Sequence, residues 1–106
     1  TLVFLNENNG IAVMNKSIFR TDDGGENWTQ VFESTHELKA ISFLDENIGV
    51  VCGSYSQVLR TSDGGITWVA DIVDQTNGIV SFEAIQLLSP DLGYASGHAG
   101  KILKFH

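Results

Sequence analysis

The sequence has 106 residues, a formal net charge of −7 at pH 7, and 42% hydrophobic residues. This length allows one domain at most, and the apolar content favours a folded chain over a disordered one. The acidic balance argues against nucleic acid and anionic membrane surfaces as partners, because both attract clusters of Lys and Arg. No stretch is apolar for long enough to cross a membrane as a helix.

Cys52 is the only cysteine, so no intrachain disulfide can form. Its apolar neighbours favour a buried, unreactive thiol.

One pattern occurs three times along the chain. Residues 4–10 align with residues 43–49 and with residues 87–93, and each copy ends in glycine. A short apolar run follows, and a basic residue comes 10, 11 and 11 positions after the glycine. A repeat of roughly 40 residues is typical of β-propeller blades.

Each repeat predicts four strands, and no segment shows sustained helical periodicity. In the central repeat we expect the strands at about residues 38–44, 48–53, 57–61 and 67–73, followed by a longer loop over residues 74–81. The predicted fold class is all-β, a β-propeller fragment of about two and two-thirds four-stranded antiparallel blades with Asp-box hairpins. Its units are expected at about residues 1–37, 38–81 and 82–106, the last incomplete.

A closed propeller has roughly four to eight blades. We therefore expect the rest of the same propeller, or another copy of the chain, to complete the ring. The last strand should then lie at an open edge. On this basis Leu103 and Phe105 should be more exposed than their counterparts in the central repeat, Leu59 and Thr61.

Two repeats contain a motif with a glycine-rich centre. Asp-Gly favours a tight hairpin turn, because glycine accepts a positive φ without steric cost. The aspartate can accept backbone N–H bonds within its own turn, and the tryptophan ring can cover that turn. We therefore predict a structural role for eight residues: Thr21, Asp23, Gly25 and Trp28 in the first copy, and Thr61, Asp63, Gly65 and Trp68 in the second.

This motif resembles the Asp box, also called the bacterial neuraminidase (BNR) repeat. The pattern of that repeat is Ser or Thr, then Asp, Gly and Trp at fixed spacing, and both copies here are complete. The resemblance implies that each motif forms the hairpin between the third and outermost strands of a propeller blade, away from the ligand channel.

The candidate metal ligands do not form a recognisable set. Asp22, Asp23 and Glu26 lack the ligand spacing of an EF-hand loop. The histidines lie apart, with no Cys or His at metal-ligand spacing: His36, His98 and His106. We therefore expect no metal or cofactor site, and an exposed turn position for His98.

The candidate catalytic residues are equally scattered. A glycosidase needs two converging acids, and sialidases, which carry Asp boxes, add an arginine cluster and a tyrosine nucleophile. Arg20 and Arg60 both lie in or beside the motif, while Tyr55 and Tyr94 have no evident acidic partner. We expect no catalytic residue in this segment.

Residues 43–68 also resemble the repeat of the photosystem II assembly and stability factor family and its non-photosynthetic bacterial relatives, and the resemblance covers essentially the whole chain. It implies a non-catalytic propeller that acts as a protein-binding or assembly scaffold outside the cytoplasm. The partner, a protein or a glycan, is expected at the mouth of the channel, at loops over residues 45–47, 54–56 and 98–100. One alternative is a fragment of a sialidase-like or other glycan-cleaving propeller enzyme whose catalytic residues lie outside this segment. Another is a sortilin-type receptor propeller.

Overall fold

A computed structural model describes residues 1–70, 79–97 and 100–105 of the chain. These residues contain eleven strands and no α-helix. The strands are β1 (Leu2–Phe4), β2 (Gly10–Met14), β3 (Ser17–Thr21), β4 (Thr29–Glu33), β5 (Leu38–Phe43), β6 (Gly49–Gly53), β7 (Val58–Thr61), β8 (Val69–Ala70), β9 (Phe82–Ser89), β10 (Leu92–Gly97) and β11 (Ile102–Phe105).

The strands form three antiparallel sheets in which neighbours in sequence are neighbours in space. The first sheet is β1–β4, the second is β5–β8, and the third is β9–β11. This confirms the predicted all-β propeller fragment. The predicted end of the fourth central strand, and most of the loop over residues 74–81, lie outside the described residues. No helix in the described part of the chain is long and apolar enough to cross a membrane.

The second sheet is buried on both faces. Every residue of β6 is buried, and side chains of a strand alternate between its two faces. Val51 packs in the apolar cluster shared with the first sheet, whereas Val50 and Cys52 pack in the cluster shared with the third. Burial raises the pKa of the Cys52 thiol to about 12. The sheets therefore stack face to face, each sheet covering the apolar face of the next.

An aromatic ring lies over a glycine near the start of the second strand in each sheet. In the second sheet the ring of Phe43 covers Gly49, where an added Cβ would come within 2.6 Å of the ring, so only glycine fits. Phe43 also meets Trp68 edge-on, with ring centroids 6.1 Å apart. The first sheet repeats this arrangement with Phe4 over Gly10.

In the third sheet the aromatic ring over the glycine comes from a different strand. Leu87 pairs with Gly93 where phenylalanine stands in the other sheets, and Phe105 of β11 supplies the ring over Gly93 instead. Phe105 is 3% exposed and Thr61 is similarly buried, so the expected exposure of Phe105 is wrong. Leu103 is half-buried and thus more exposed than Leu59, as predicted.

The burial of Cys52 gives a test of this packing. Because the thiol is enclosed and its pKa is raised, we expect a thiol-specific disulfide reagent to modify Cys52 only in denaturant. Native and urea-unfolded protein should be compared by following release of the chromophore at pH 8. Stoichiometric modification under native conditions would contradict the stacking of the second and third sheets.

Candidate functional site

The second copy of the predicted Asp-box motif, residues 60–68, forms a hairpin that satisfies its own polar groups. The Thr61 hydroxyl donates to Asp63 Oδ1 at 2.8 Å and accepts from the Gly65 amide at 3.0 Å. The Asp63 carboxylate accepts from the Thr67 amide at 2.9 Å and from the Thr67 hydroxyl. Gly64 and Gly65 have positive φ values of 75° and 88°, which side-chain-bearing residues rarely adopt. The polar groups of the hairpin are therefore hydrogen-bonded to each other.

The first motif, residues 20–28, forms the same hairpin. Thr21 donates to Asp23 at 2.7 Å and accepts from the Gly25 amide at 3.0 Å, and the Asn27 amide donates to Asp23 at 2.9 Å. Bonds from Asn27 hold the Asp23 pKa down at about 2, and bonds from Thr67 hold the Asp63 pKa down at about 2.

The two hairpins differ in what covers them. The first sheet covers the second hairpin, where an added Cβ on Gly65 would lie 2.3 Å from Ile11 Cδ1. Trp68 donates its indole N–H to the Gly65 carbonyl at 2.9 Å and is only 7% exposed. Trp28 of the first hairpin is 37% exposed. Locally identical hairpins thus differ by the sheet packed against one of them.

An arginine bridges from each of the first two sheets to the next. Arg20 donates through Nε to the Gly64 carbonyl at 2.9 Å, and Arg60 donates through Nη1 to the Pro90 carbonyl at 2.7 Å. Arg60 also lies over the Phe105 ring, 5.8 Å from its centroid. Sequence reasoning weighed these arginines only as substrate ligands. The signal for their role was the recurrence of arginine directly before the motif threonine.

The candidate loops lie at opposite ends of the sheets. The loop over residues 45–47 packs beside the second hairpin, since the Gly64 amide donates to the Asn47 carbonyl at 3.0 Å. The turn over residues 54–56 joins β6 to β7 and so lies at the other end of the same strands. The prediction that these loops share one channel mouth is therefore wrong. We call the two ends the hairpin end, with residues 21–28, 45–47 and 61–68, and the turn end, with residues 15–16, 54–56 and 100.

The turn end presents a stacked aromatic pair in which the tyrosine is exposed. Tyr55 is 58% exposed and stacks on His36, with ring centroids 3.9 Å apart and an interplanar angle of 28°. Glu33 and Glu37 line an adjacent shallow cleft of about 380 Å³ together with Lys16. We call Tyr55, His36 and Glu37 the turn-end platform. Gly100 lies at the same end, whereas His98 and His106 lie outside the described residues.

Within residues 1–70, 79–97 and 100–105, no three His, Cys, Asp or Glu side chains are grouped so that they could hold a metal ion. Asp23 is engaged by Thr21 and Asn27 in its own hairpin. Tyr94 lies beside a hollow on the outer face of the third sheet, away from Tyr55.

Comparisons with known proteins agree with this architecture. No family model matches the chain. The photosystem II assembly lipoprotein Ycf48 of Synechocystis sp. is 41% identical over 96 residues, which are 83% of this chain and 27% of that protein. The photosystem II assembly protein Ycf48 of Thermosynechococcus vestitus is 32% identical over 95 residues, 85% of this chain and again 27% of that protein. The chain thus spans about a quarter of the length of these relatives.

Two solved structures have the same fold. A structure of YCF48 bound to D1 peptide superposes with a TM-score of 0.82 and 23% identity, over 98% of this chain and 35% of that one. YCF48 from Cyanidioschyzon merolae superposes with a TM-score of 0.80 and 20% identity, over the same shares. The fold and the hairpins define a segment of a β-propeller built from repeated antiparallel sheets. Its sequence resembles the photosystem II assembly factor-like propeller family, as the repeat motifs predicted.

The lowered pKa of Asp63 predicts acid sensitivity. Its contribution to stability is fully present above the ordinary carboxyl pKa of 3.8 and is lost as the pH falls towards about 2. Asp63→Asn should therefore lower the free energy of unfolding by about 1–2 kcal/mol near pH 6, because a neutral amide accepts weaker hydrogen bonds than a carboxylate, and by much less near pH 2. Urea unfolding across this pH range measures the difference.

Asp22→Asn is the matched control, because it removes a carboxylate of the first hairpin that takes no part in the hydrogen bonds of Thr21 and Asp23. We expect this variant to unfold like the unmodified protein at every pH. An Asp63→Asn deficit of the same size at pH 6 and pH 2 would show that the carboxylate charge does not stabilise the hairpin.

Proposed function

We propose that this chain is a segment of a non-catalytic β-propeller that binds a segment of another protein and serves as an assembly scaffold. The observation that carries the proposal is the sequence similarity over more than four fifths of the chain to proteins named as photosystem II assembly factors. A protein of the same fold, YCF48, has been solved bound to D1 peptide, which supports a peptide segment as the partner. The comparisons lend no support to the glycan-cleaving alternative.

The polar groups of each hairpin are hydrogen-bonded to each other. This supports a structural role for Thr21, Asp23, Gly25, Trp28 and their counterparts in the second motif. Their donors and acceptors already bind each other, so a ligand would have to break those bonds. We therefore propose that the partner binds away from the hairpins, at the turn end or along the strands. A glycan at either surface is the second candidate partner.

The outer face of the first sheet is open and apolar. Leu2, Met14, Phe19 and Trp28 surround a hollow of about 370 Å³, and Leu2, Met14 and Trp28 are exposed. The corresponding hairpin of the second sheet is covered by the first sheet at Ile11. We propose that a further sheet of the same kind covers this face and completes a ring. The greater length of the relatives favours the rest of a longer propeller over another copy.

We further propose that residues 1–37, 38–81 and 82–106 are the repeat units of one propeller domain. The three sheets, which fall within these limits, support this division. We also propose a location outside the cytoplasm. Its support is that two relatives are named lipoproteins, since lipid-modified proteins are anchored to a membrane surface.

Peptide binding tests the proposed function. Immobilised overlapping peptides of the D1 protein, each beside a scrambled version, should be probed with the chain, and a glycan array should be probed in parallel. We expect some native peptides to bind more strongly than their scrambled versions, with no selective glycan. Selective glycan binding without selective peptide binding would contradict a protein-binding scaffold.

A further inference from the structure

The turn that carries Tyr55 adopts an unfavourable backbone conformation. Tyr55 and Ser56 both have positive φ values, 58° and 57°. The left-handed region costs roughly 1–2 kcal/mol for a residue with a side chain, and Asn or Gly usually occupies it. The other turns at this end follow that rule, with Asn15 in the first sheet and Gly100 in the third at the left-handed positions. An aromatic residue in such a turn therefore needs a reason beyond chain reversal.

Hydrogen bonds from two neighbouring segments fix this turn. The Ser54 amide donates to the Glu37 carbonyl at 2.8 Å, and the Ser56 amide donates to the Val80 carbonyl at 2.6 Å. The Val80 amide donates back to the Ser56 hydroxyl at 2.8 Å. These contacts tie the turn to the start of β5 and to the segment before β9. The Tyr55 ring is consequently presented on a rigid base.

The presented ring has one supported face and remains largely accessible. Tyr55 stacks on His36 at 3.9 Å, yet it is among the most exposed large apolar residues of the described chain. A fixed aromatic ring binds at a low cost in conformational entropy, because few side-chain torsions remain to be ordered. This combination of rigidity and exposure is typical of a docking site rather than of a turn that only reverses the chain.

Two exposed carboxylates near the ring provide acceptors for a cationic ligand. Glu37 directly follows His36, is exposed, and lines the adjacent cleft with Glu33. Two lysines are near: Lys16 lines the same cleft, and Lys39 pairs with Glu83 at 3.0 Å and with Glu37 at 3.8 Å. The chain as a whole carries a net charge of −7. A guanidinium group matches this chemistry, since it stacks on aromatic faces and binds carboxylates.

We propose that the turn-end platform is the docking site for an arginine side chain presented by a protein partner. The guanidinium stacks on the exposed face of Tyr55, and the Glu37 carboxylate accepts its N–H bonds. This inference rests on the proposed function and deepens it, because it assigns a surface and a partner chemistry to protein binding.

Fluorescence polarisation with defined peptides tests the platform. The probes are labelled octapeptides of alternating glycine with arginine, lysine or glutamate, titrated with the full chain at low and high salt. We expect the arginine peptide to bind best, the glutamate peptide to show no binding, and added salt to weaken the interaction. Tyr55→Asn should weaken arginine-peptide binding about fivefold without loss of the fold, because Asn tolerates a positive φ. Tyr55→Phe should retain most of the affinity.

Ile66→Asn is the matched control, because Ile66 is 55% exposed at the hairpin end and its replacement removes a similarly exposed apolar side chain. It should bind the arginine peptide like the unmodified chain, and melting curves should show that both Asn variants are folded. Equal affinity of Tyr55→Asn and the unmodified chain would overturn the platform. Selective binding of D1 peptides without any binding of the arginine peptide would overturn the platform but leave the proposed function intact. Absence of binding to every peptide would overturn both.

Discussion

The contact between the hairpin of residues 60–68 and the first sheet is the constraint on which the rest of this structure depends. The hairpin first satisfies its own polar groups through Thr61 and Asp63, so it can be brought against another sheet without leaving buried donors unpaired. Gly65 then provides a surface without a side chain for Ile11, and Arg20 reaches across to the turn carbonyl at Gly64. Each sheet in the stack therefore needs a neighbour to bury its apolar face, which is the physical logic of repeat proteins.

The two ends of the sheets differ in how far their groups are engaged in contacts between repeats. At the hairpin end, backbone and side-chain groups are engaged in holding the repeats together, including the loop over residues 45–47. At the turn end, by contrast, the backbone of Tyr55 adopts an unfavourable left-handed conformation, and its ring is exposed to solvent. A protein-binding propeller needs both a rigid architecture and a free surface. In the proposed function the hairpins hold the repeats together and the turn end binds the partner, so both needs are met within one short repeat.

Much of this fold could be predicted from the sequence, because the repeat is local and its turns have specific chemistry. The Asp-Gly-Gly sequences predict both turns, and the structural role predicted for the hairpin residues follows from their residue types. Contacts in which a side chain from a distant strand fills an equivalent position could not be predicted in this way. Phe105 replaces the ring that Phe43 supplies in the second sheet, an exchange between strands that no local pattern records. The bridging role of Arg20 and the strained presentation of Tyr55 likewise depend on how segments distant in sequence pack. The opposite placement of the loops follows from strand alternation, and sequence reasoning overlooked it.

Amide hydrogen exchange of Gly25 and Gly65 in the free chain tests the central claim most directly. Each amide donates to the threonine hydroxyl of its own hairpin at 3.0 Å. Of these two hairpins, the one that contains Gly65 is covered by a neighbouring sheet. If sheet stacking stabilises the hairpins, Gly65 should exchange at least about tenfold more slowly than Gly25, since tenfold corresponds to roughly 1.4 kcal/mol of opening free energy. Equal exchange rates would contradict the account, because they would mean that local bonds alone stabilise each hairpin.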